Sequence, residues 1–267
     1  MVEKKRRILT PEEQVQRAWD IQQIKNVMGR HAYYHEYNRH DIEMEELWVN
    51  EPEHQKDAVF VQNHGFQMGY ELIDDNYNRK SFNIWREGLQ EFIDEDPTIE
   101  DSFDNLAMGS SIIHLLTAPL IEVADDGMTA QGVWDGNGQI TMGYPGNKMS
   151  TKVMFEKYKV DFVKEDGEWK IWKMFIATDI CLEPAGTDCR DLPINITGEM
   201  EFKLRQLEEE DPETEIILTY PMMVYNSTFN APDWPVYPEP YYTYADTIPT
   251  DPSSHPRFNP ADYEKED

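Results

Sequence analysis

Cysteine is scarce: Cys181 and Cys189 are the only two among 267 residues. Two cysteines in so long a chain make no disulfide framework, and both are read as free thiols. Basic residues are scarce too, with 24 Lys and Arg against 52 Asp and Glu and a formal net charge of −28. Phosphate binding needs a basic footprint, so no nucleic-acid partner is expected. An anionic membrane surface is excluded on the same ground. No run reaches the roughly 18 uninterrupted apolar residues of a membrane span. The N-terminal MVEKKRRILTPEEQ is basic but lacks the apolar segment of a secretory signal, so a cytoplasmic location is expected. The sequons at Asn195 and Asn226 are read as chance matches.

Catalytic motifs are missing as well. There is no Gly-x-Gly-x-x-Gly, P-loop, Gly-x-Ser-x-Gly elbow or Cys-x-x-Cys. A nucleotide enzyme and a serine hydrolase are thereby disfavoured. Any chemistry rests on side chains alone, and no cofactor is expected.

Aromatic residues, in contrast, make up 12% of the chain, too many for a disordered polymer. The composition divides near residue 180. Residues 181–267 hold 12 of the 17 prolines and half the net charge. Proline removes backbone donors, so 232–260 is neither helix nor central strand. Its Trp234, Tyr237, Tyr241, Tyr242 and Tyr244 point to an extended arm that packs on the rest of the protein or on a neighbouring subunit; the alternative is a disordered acidic tail. The expected domains are 1–180 and an acidic extension over 181–267.

Within 1–180, Thr10-Pro11-Glu12-Glu13 is a helix-start signal. Apolar residues from Val15 to Met28 then recur at helical spacing, and the helix is expected to run through His31–His40. A short helix over 42–49, a hairpin over 58–72 and an amphipathic helix over 77–93 follow. Strands are expected at 106–123, 128–134, 149–163 and 168–180, with turns at Asp126-Gly127 and Asp166-Gly167. Helices followed by an antiparallel meander make an α+β fold.

Three features are able to carry chemistry. The first is segment 31–41 (HAYYHEYNRHD). His31 and His35 share a helix face at a spacing that suits zinc, but no third ligand is identifiable and no metal is expected. An amphipathic helix with capping tyrosines is the plain alternative. His114 lies inside an apolar run, where it is either a packed core histidine or a general base near its working pKa. Asp135 opens Asp-Gly-Asn-Gly138, a turn-forming string, or else a strand-end carboxylate that orients an imidazole.

Several stretches carry a resemblance. They are Asp41-Ile-Glu-Met-Glu-Glu-Leu47, Ile113-His114 through Pro119 to Val123, Asp126-Gly127 through Trp134, and the hairpin Tyr158–Ile171. Together they resemble the SnoaL-like group of the nuclear-transport-factor-two-like superfamily. The resemblance implies a cone, with a curved antiparallel sheet wrapped around N-terminal helices and a pocket inside. It implies a lyase of the scytalone dehydratase or bile acid 7α-dehydratase kind, acting without cofactor on a hydrophobic polycyclic or aromatic alcohol or ketol. Mapped residue by residue, it places a catalytic tyrosine at Tyr33, a histidine at His114 and an aspartate at Asp135. It places Asn38 where the family's acid stands, a departure that puts an acid-assisted step in doubt, and a basic residue at Lys173. Tyr37, Trp85, Trp134, Trp172 and Tyr241 are expected to wall the pocket. Two other readings stay open: a carbon–carbon lyase releasing formaldehyde from a lignin-derived diaryl diol, and a non-catalytic small-molecule binder. A homodimer or homotrimer is expected.

Overall fold

A computed structural model describes residues 8–62, 65–75, 81–146, 148–182, 235–247 and 250. Trp234, Cys189 and both sequons lie outside the described residues.

The first helix, α1 (Pro11–Glu36), starts as its sequence dictates. Glu13 N donates to Thr10 Oγ1 at 3.3 Å and Thr10 N donates back to Glu13 Oε2 at 2.8 Å. This reciprocal cap satisfies two otherwise orphaned donors. Asp20, Ile24, Met28 and His31 are buried at steps of three and four, the inner stripe of an amphipathic helix. The helix breaks at Asn38, which takes a positive φ of 53°. Asparagine tolerates that conformation better than most residues. The chain then reverses into α2 (His40–Leu47), so the first helix stops short of the expected His40, and the short helix expected over 42–49 starts and ends two residues earlier.

Next come α3 (Pro52–Lys56), β1 (Val59–Gln62), β2 (Gly65–Met68), α4 (Tyr70–Asp74) and α5 (Ser81–Glu95). The hairpin expected over 58–72 is therefore shorter, its last residues being helical. Four long strands complete the chain's core: β3 (Ser110–Val123), β4 (Thr129–Tyr144), β5 (Lys148–Glu165) and β6 (Glu168–Leu182). With β1 and β2 they form one six-stranded sheet of order β2-β1-β6-β5-β4-β3. All neighbouring pairs are antiparallel except β1 with β6.

Register shifts bend the sheet, at Thr117/Leu120 in β3 and at Phe155/Glu156 and Asp161/Phe162 in the β5–β6 pairing. Each extra residue kinks its strand. Pro119 is tolerated because β3 is an edge strand and the shift removes its ladder bond.

The sheet has two faces. The inner face packs on α1 and α2 around Trp48, Phe60, Tyr158, Phe162, Ile171 and Met174, all almost fully buried. Charged ties hold α1 there. Lys164 Nζ and Trp169 Nε1 donate to Asp20 Oδ1 at 2.7 and 3.0 Å. Arg17 donates to Asp125 at 2.7 Å.

Residues 235–247 and Thr250 lie against the outer face. The backbone N–H groups of Asp125 and Asp126 donate to the carbonyls of Tyr241 and Tyr242 at 3.0 and 3.2 Å. Asp161, fully buried, accepts from Gln131, Tyr244 and both the N–H and hydroxyl of Thr250 at 2.6–2.8 Å.

Candidate active site

The site forms where the inner stripe of α1 meets the inner face of β3 to β5. Strand alternation decides which side chains arrive. His114 pairs with Gly138 across β3–β4, and Gly138 with Met154 across β4–β5. Two residues along, Gly136 pairs with Glu156 and Trp134 with Tyr158. All of these share the inner face. Gly136 and Gly138 therefore leave β4 bare between His114 and Glu156. A Cβ on Gly136 would stand 2.6 Å from the Tyr158 ring, and one on Gly138 2.8 Å from the Ile113 carbonyl oxygen. Asp-Gly-Asn-Gly138 is thus mid-strand, not the turn its composition predicts.

Over that gap, His114 Nδ1 lies 3.4 Å from Glu156 Oε2 and 3.3 Å from the Tyr158 hydroxyl. The Tyr158 hydroxyl donates to the same carboxylate at 3.2 Å. Both oxygens around Nδ1 can accept, so the arrangement favours the tautomer with hydrogen on Nδ1. That leaves the lone pair on Nε2.

From the helix side, His35 sets its ring 5.1 Å from that of His114, at 71°. His31 and His40 flank His35 with centroids at 4.8 and 4.4 Å. Glu43 of α2 sits beneath them with no exposed surface. It accepts from His31 Nδ1 at 2.8 Å and from Trp48 Nε1 at 3.4 Å. Its other oxygen is 3.5 Å from His40 Nδ1 and 4.0 Å from His35 Nε2. Burial pushes the Glu43 carboxyl up, but the imidazoles around it outweigh burial and hold it well below the usual range. Burial pushes His35 well below the ordinary imidazole value, and the neighbouring His40 adds to this. The cluster therefore pairs an ionised carboxylate with an uncharged imidazole beside His114.

Several expected residues stand elsewhere. Asp135 pairs with Thr117 and Lys157, one residue out of phase with Trp134, so it is exposed on the outer face. The residues at its strand's inner face are Trp134 and Gly136, and the carboxylate that reaches His114 is Glu156. Tyr33 and Tyr37 are 61% and 58% exposed because His31 and His35 take the inner stripe of α1. Asn38 is buried at the helix break, where its Nδ2 donates to Ser110 at 3.5 Å.

Trp134 is buried edge-on against Phe162 at 6.0 Å, part of the core packing. Trp172 donates to the His54 carbonyl at 3.1 Å and packs on Tyr244 at 4.6 Å. Lys173 lies over both of those rings, at 4.6 and 5.2 Å. Tyr241, itself part of the arm, is buried and lines a cavity of ≈ 250 Å³ between the arm and the outer face. Trp172 and Lys173 thus hold the arm, which Tyr241 anchors from its own side, and the described arm residues lie on the opposite side of the sheet from His114. Trp85 is half-buried on α5.

Glu156 and Tyr158 escaped the sequence reading, although Phe155-Glu-Lys-Tyr158 alternates as a strand should and puts both on one face. Glu43 carries no local signal, since only the turn at Asn38 folds α2 back so that Glu43 meets His31 and His35.

A curved α+β sheet wrapped on N-terminal helices is the architecture of the cone class of the nuclear-transport-factor-two-like proteins. The sequence profile of the SnoaL-like domain matches residues 16–174, and the chain belongs to that family. No curated protein matches it significantly by sequence. Among solved structures it is similar to a candidate scytalone dehydratase from Novosphingobium aromaticivorans, with 11% identity, 67% of this chain and 94% of that chain covered, and a TM-score of 0.43. It is similar to a hexachlorocyclohexane dehydrochlorinase from Novosphingobium barchaimii, with 16% identity, 67% and 97% covered, and a TM-score of 0.43. A Mycobacterium tuberculosis protein of unknown function is 16% identical over 70% and 95%, with a TM-score of 0.42. Among the described residues, no helix is long and apolar enough to cross a membrane.

Proposed function

We propose that this protein is a lyase that eliminates water, by acid–base chemistry at His114, from a hydrophobic aromatic or polycyclic alcohol or ketol. The observation that carries the reading is the hold on His114 Nδ1 by Glu156 at 3.4 Å and Tyr158 at 3.3 Å. It leaves Nε2 as the basic atom, as in any imidazole oriented by a carboxylate.

His114 Nε2 takes a proton alpha to a carbonyl. The Glu156 carboxylate stabilises the imidazolium that forms. The leaving hydroxyl departs with a proton, and the imidazolium is the acid able to supply it. A positioned base contributes about 10²–10⁴ in rate, enough for substrates whose proton is already acidic. Family membership supports the reading, since the match spans α1 and all the strands that supply the site.

The test is incubation of the purified protein with hydroxylated steroids, polyketide-like ketols and diaryl diols, with products read by mass. Loss of one water that disappears with His114→Ala supports the proposal. Loss of formaldehyde instead moves the protein to the carbon–carbon lyases. Turnover that survives His114→Ala overturns it.

A further inference from the structure

The geometry points to a second feature of the helix side: a binding site for a first-row transition-metal dication, zinc foremost, formed by His31, His35 and Glu43. The three offer one donor atom each, and these lie within 4.8 Å of one another. Donors around a tetrahedral zinc stand about 3.4 Å apart, given zinc–nitrogen bonds near 2.1 Å. Small side-chain rotations close the difference.

The site looks built. His31 and His35 are one helical turn apart on the inner side of α1, with ring centroids at 4.8 Å. Glu43 approaches from α2 after the reversal at Asn38. His31 and Glu43 have no exposed surface. Among the described residues, His31 Nε2 finds no hydrogen-bond partner. Buried polar atoms are almost always satisfied, because leaving one unsatisfied costs its full desolvation. Such an atom at the centre of this cluster indicates a missing ligand. The Trp48 N–H bond to Glu43 Oε1 supplies the outer support that orients metal ligands.

Ligand type narrows the ion. Two imidazoles with one carboxylate suit zinc, cobalt, iron or manganese, whereas magnesium and calcium take oxygen ligands. The surface carboxylates that give a net charge of −28 attract any dication weakly, so the inner site is recognised by selectivity. This inference goes beyond the elimination proposed for His114 and does not depend on it.

The full chain, stripped with a chelator and exchanged into excess magnesium, is titrated with zinc, and separately with cobalt(II) for its visible spectrum. One zinc per chain is expected, along with a cobalt spectrum of nitrogen coordination. His35→Ala and Glu43→Gln are each expected to weaken binding on the order of 100-fold. Because Glu43 is buried, His35→Asn on the less enclosed histidine gives a second variant, with circular dichroism and melting confirming its fold. His114→Ala retains zinc while losing turnover, which separates this proposal from the preceding one. Absence of saturable zinc uptake overturns the proposal. So does zinc that magnesium displaces, or zinc held equally by folded His35→Ala and His35→Asn.

Discussion

His114 and Glu156 sit on strands that are not neighbours, yet His114 Nδ1 and Glu156 Oε2 are 3.4 Å apart. β4 lies between them and presents Gly136 and Gly138 on the shared face. Strands are spaced about 4.8 Å, so the backbones stand roughly two spacings apart. The two side chains meet because neither glycine interposes one of its own.

Gly136→Ala therefore strikes the site. The added methyl would be 2.6 Å from Tyr158, whose ring is buried and packed and has little room to yield. Overpacking of this kind costs about 1–3 kcal/mol. Urea unfolding is expected to show that loss, with turnover falling as Tyr158 is displaced from His114. Gly88→Ala in α5 meets nothing within 4 Å and is expected to stabilise by about 0.5–1 kcal/mol. Equal effects of the two would refute the packing account.

His114→Ala and Asp135→Ala separate the two faces of the sheet. His114 reaches Glu156 on the inner face, whereas Asp135 is exposed on the outer one. Turnover is expected to fall by about 10²–10⁴ in the first variant and to stay within about twofold in the second, since exposed positions away from the site are usually silent. Steady-state rates on a substrate from the mass screen decide it. A large loss in Asp135→Ala would return that carboxylate to the mechanism.

The contrast between these residues shows what the sequence made legible. The capped start of α1, the Asp166-Gly167 hairpin and the helix-then-strand order follow from local rules, and the structure follows them. His114 stood out because an imidazole in an apolar run needs a reason. Asp-Gly-Asn-Gly138 is a turn signal in isolation, whereas the strand runs straight through it. Here the glycines are kept in the strand by what packs over them, a tertiary fact. Glu43, Glu156 and Tyr158 are ordinary residues in ordinary patterns. Their role arises only when α2 folds back and β5 pairs across β4.

Tyr70 gives a pH signature. Burial, with Asp74 and Glu45 adding, raises its phenol from an ordinary value of 10.0 to about 12. Its hydroxyl donates to the Met44 carbonyl at 3.1 Å, a bond only the neutral form makes. A group whose folded pKa is raised stabilises fully below its unfolded pKa and loses that stabilisation as pH rises through the folded one. The contribution is thus intact below about pH 10 and lost toward pH 12. Comparison of melting temperature across that range in wild type and Tyr70→Phe is expected to show a steeper alkaline decline in the wild type. Parallel curves would contradict it.

Asp161→Ala addresses the arm. The carboxylate accepts from Gln131, Tyr244, Thr250 N and Thr250 Oγ1, and it has no exposed surface. Three of those four donors belong to the arm, so one side chain on β5 fastens Tyr244 and Thr250 to the sheet. Truncation leaves these donors facing an apolar methyl, and each unsatisfied buried donor costs about 1–3 kcal/mol unless water reaches it. Water does reach a detached arm, so the expected outcome is release of the arm, not collapse of the sheet. Limited proteolysis after Tyr241 or Tyr244 is expected to accelerate in Asp161→Ala. Tyr244→Phe, which loses one of the four bonds, is expected to give a smaller increase. Turnover is expected to persist in both, because the arm's described residues pack on the face away from His114. An unchanged cleavage rate in Asp161→Ala would show that the arm is held by its other ties, among them the backbone bonds at Asp125 and Asp126 and the Trp172–Tyr244 packing.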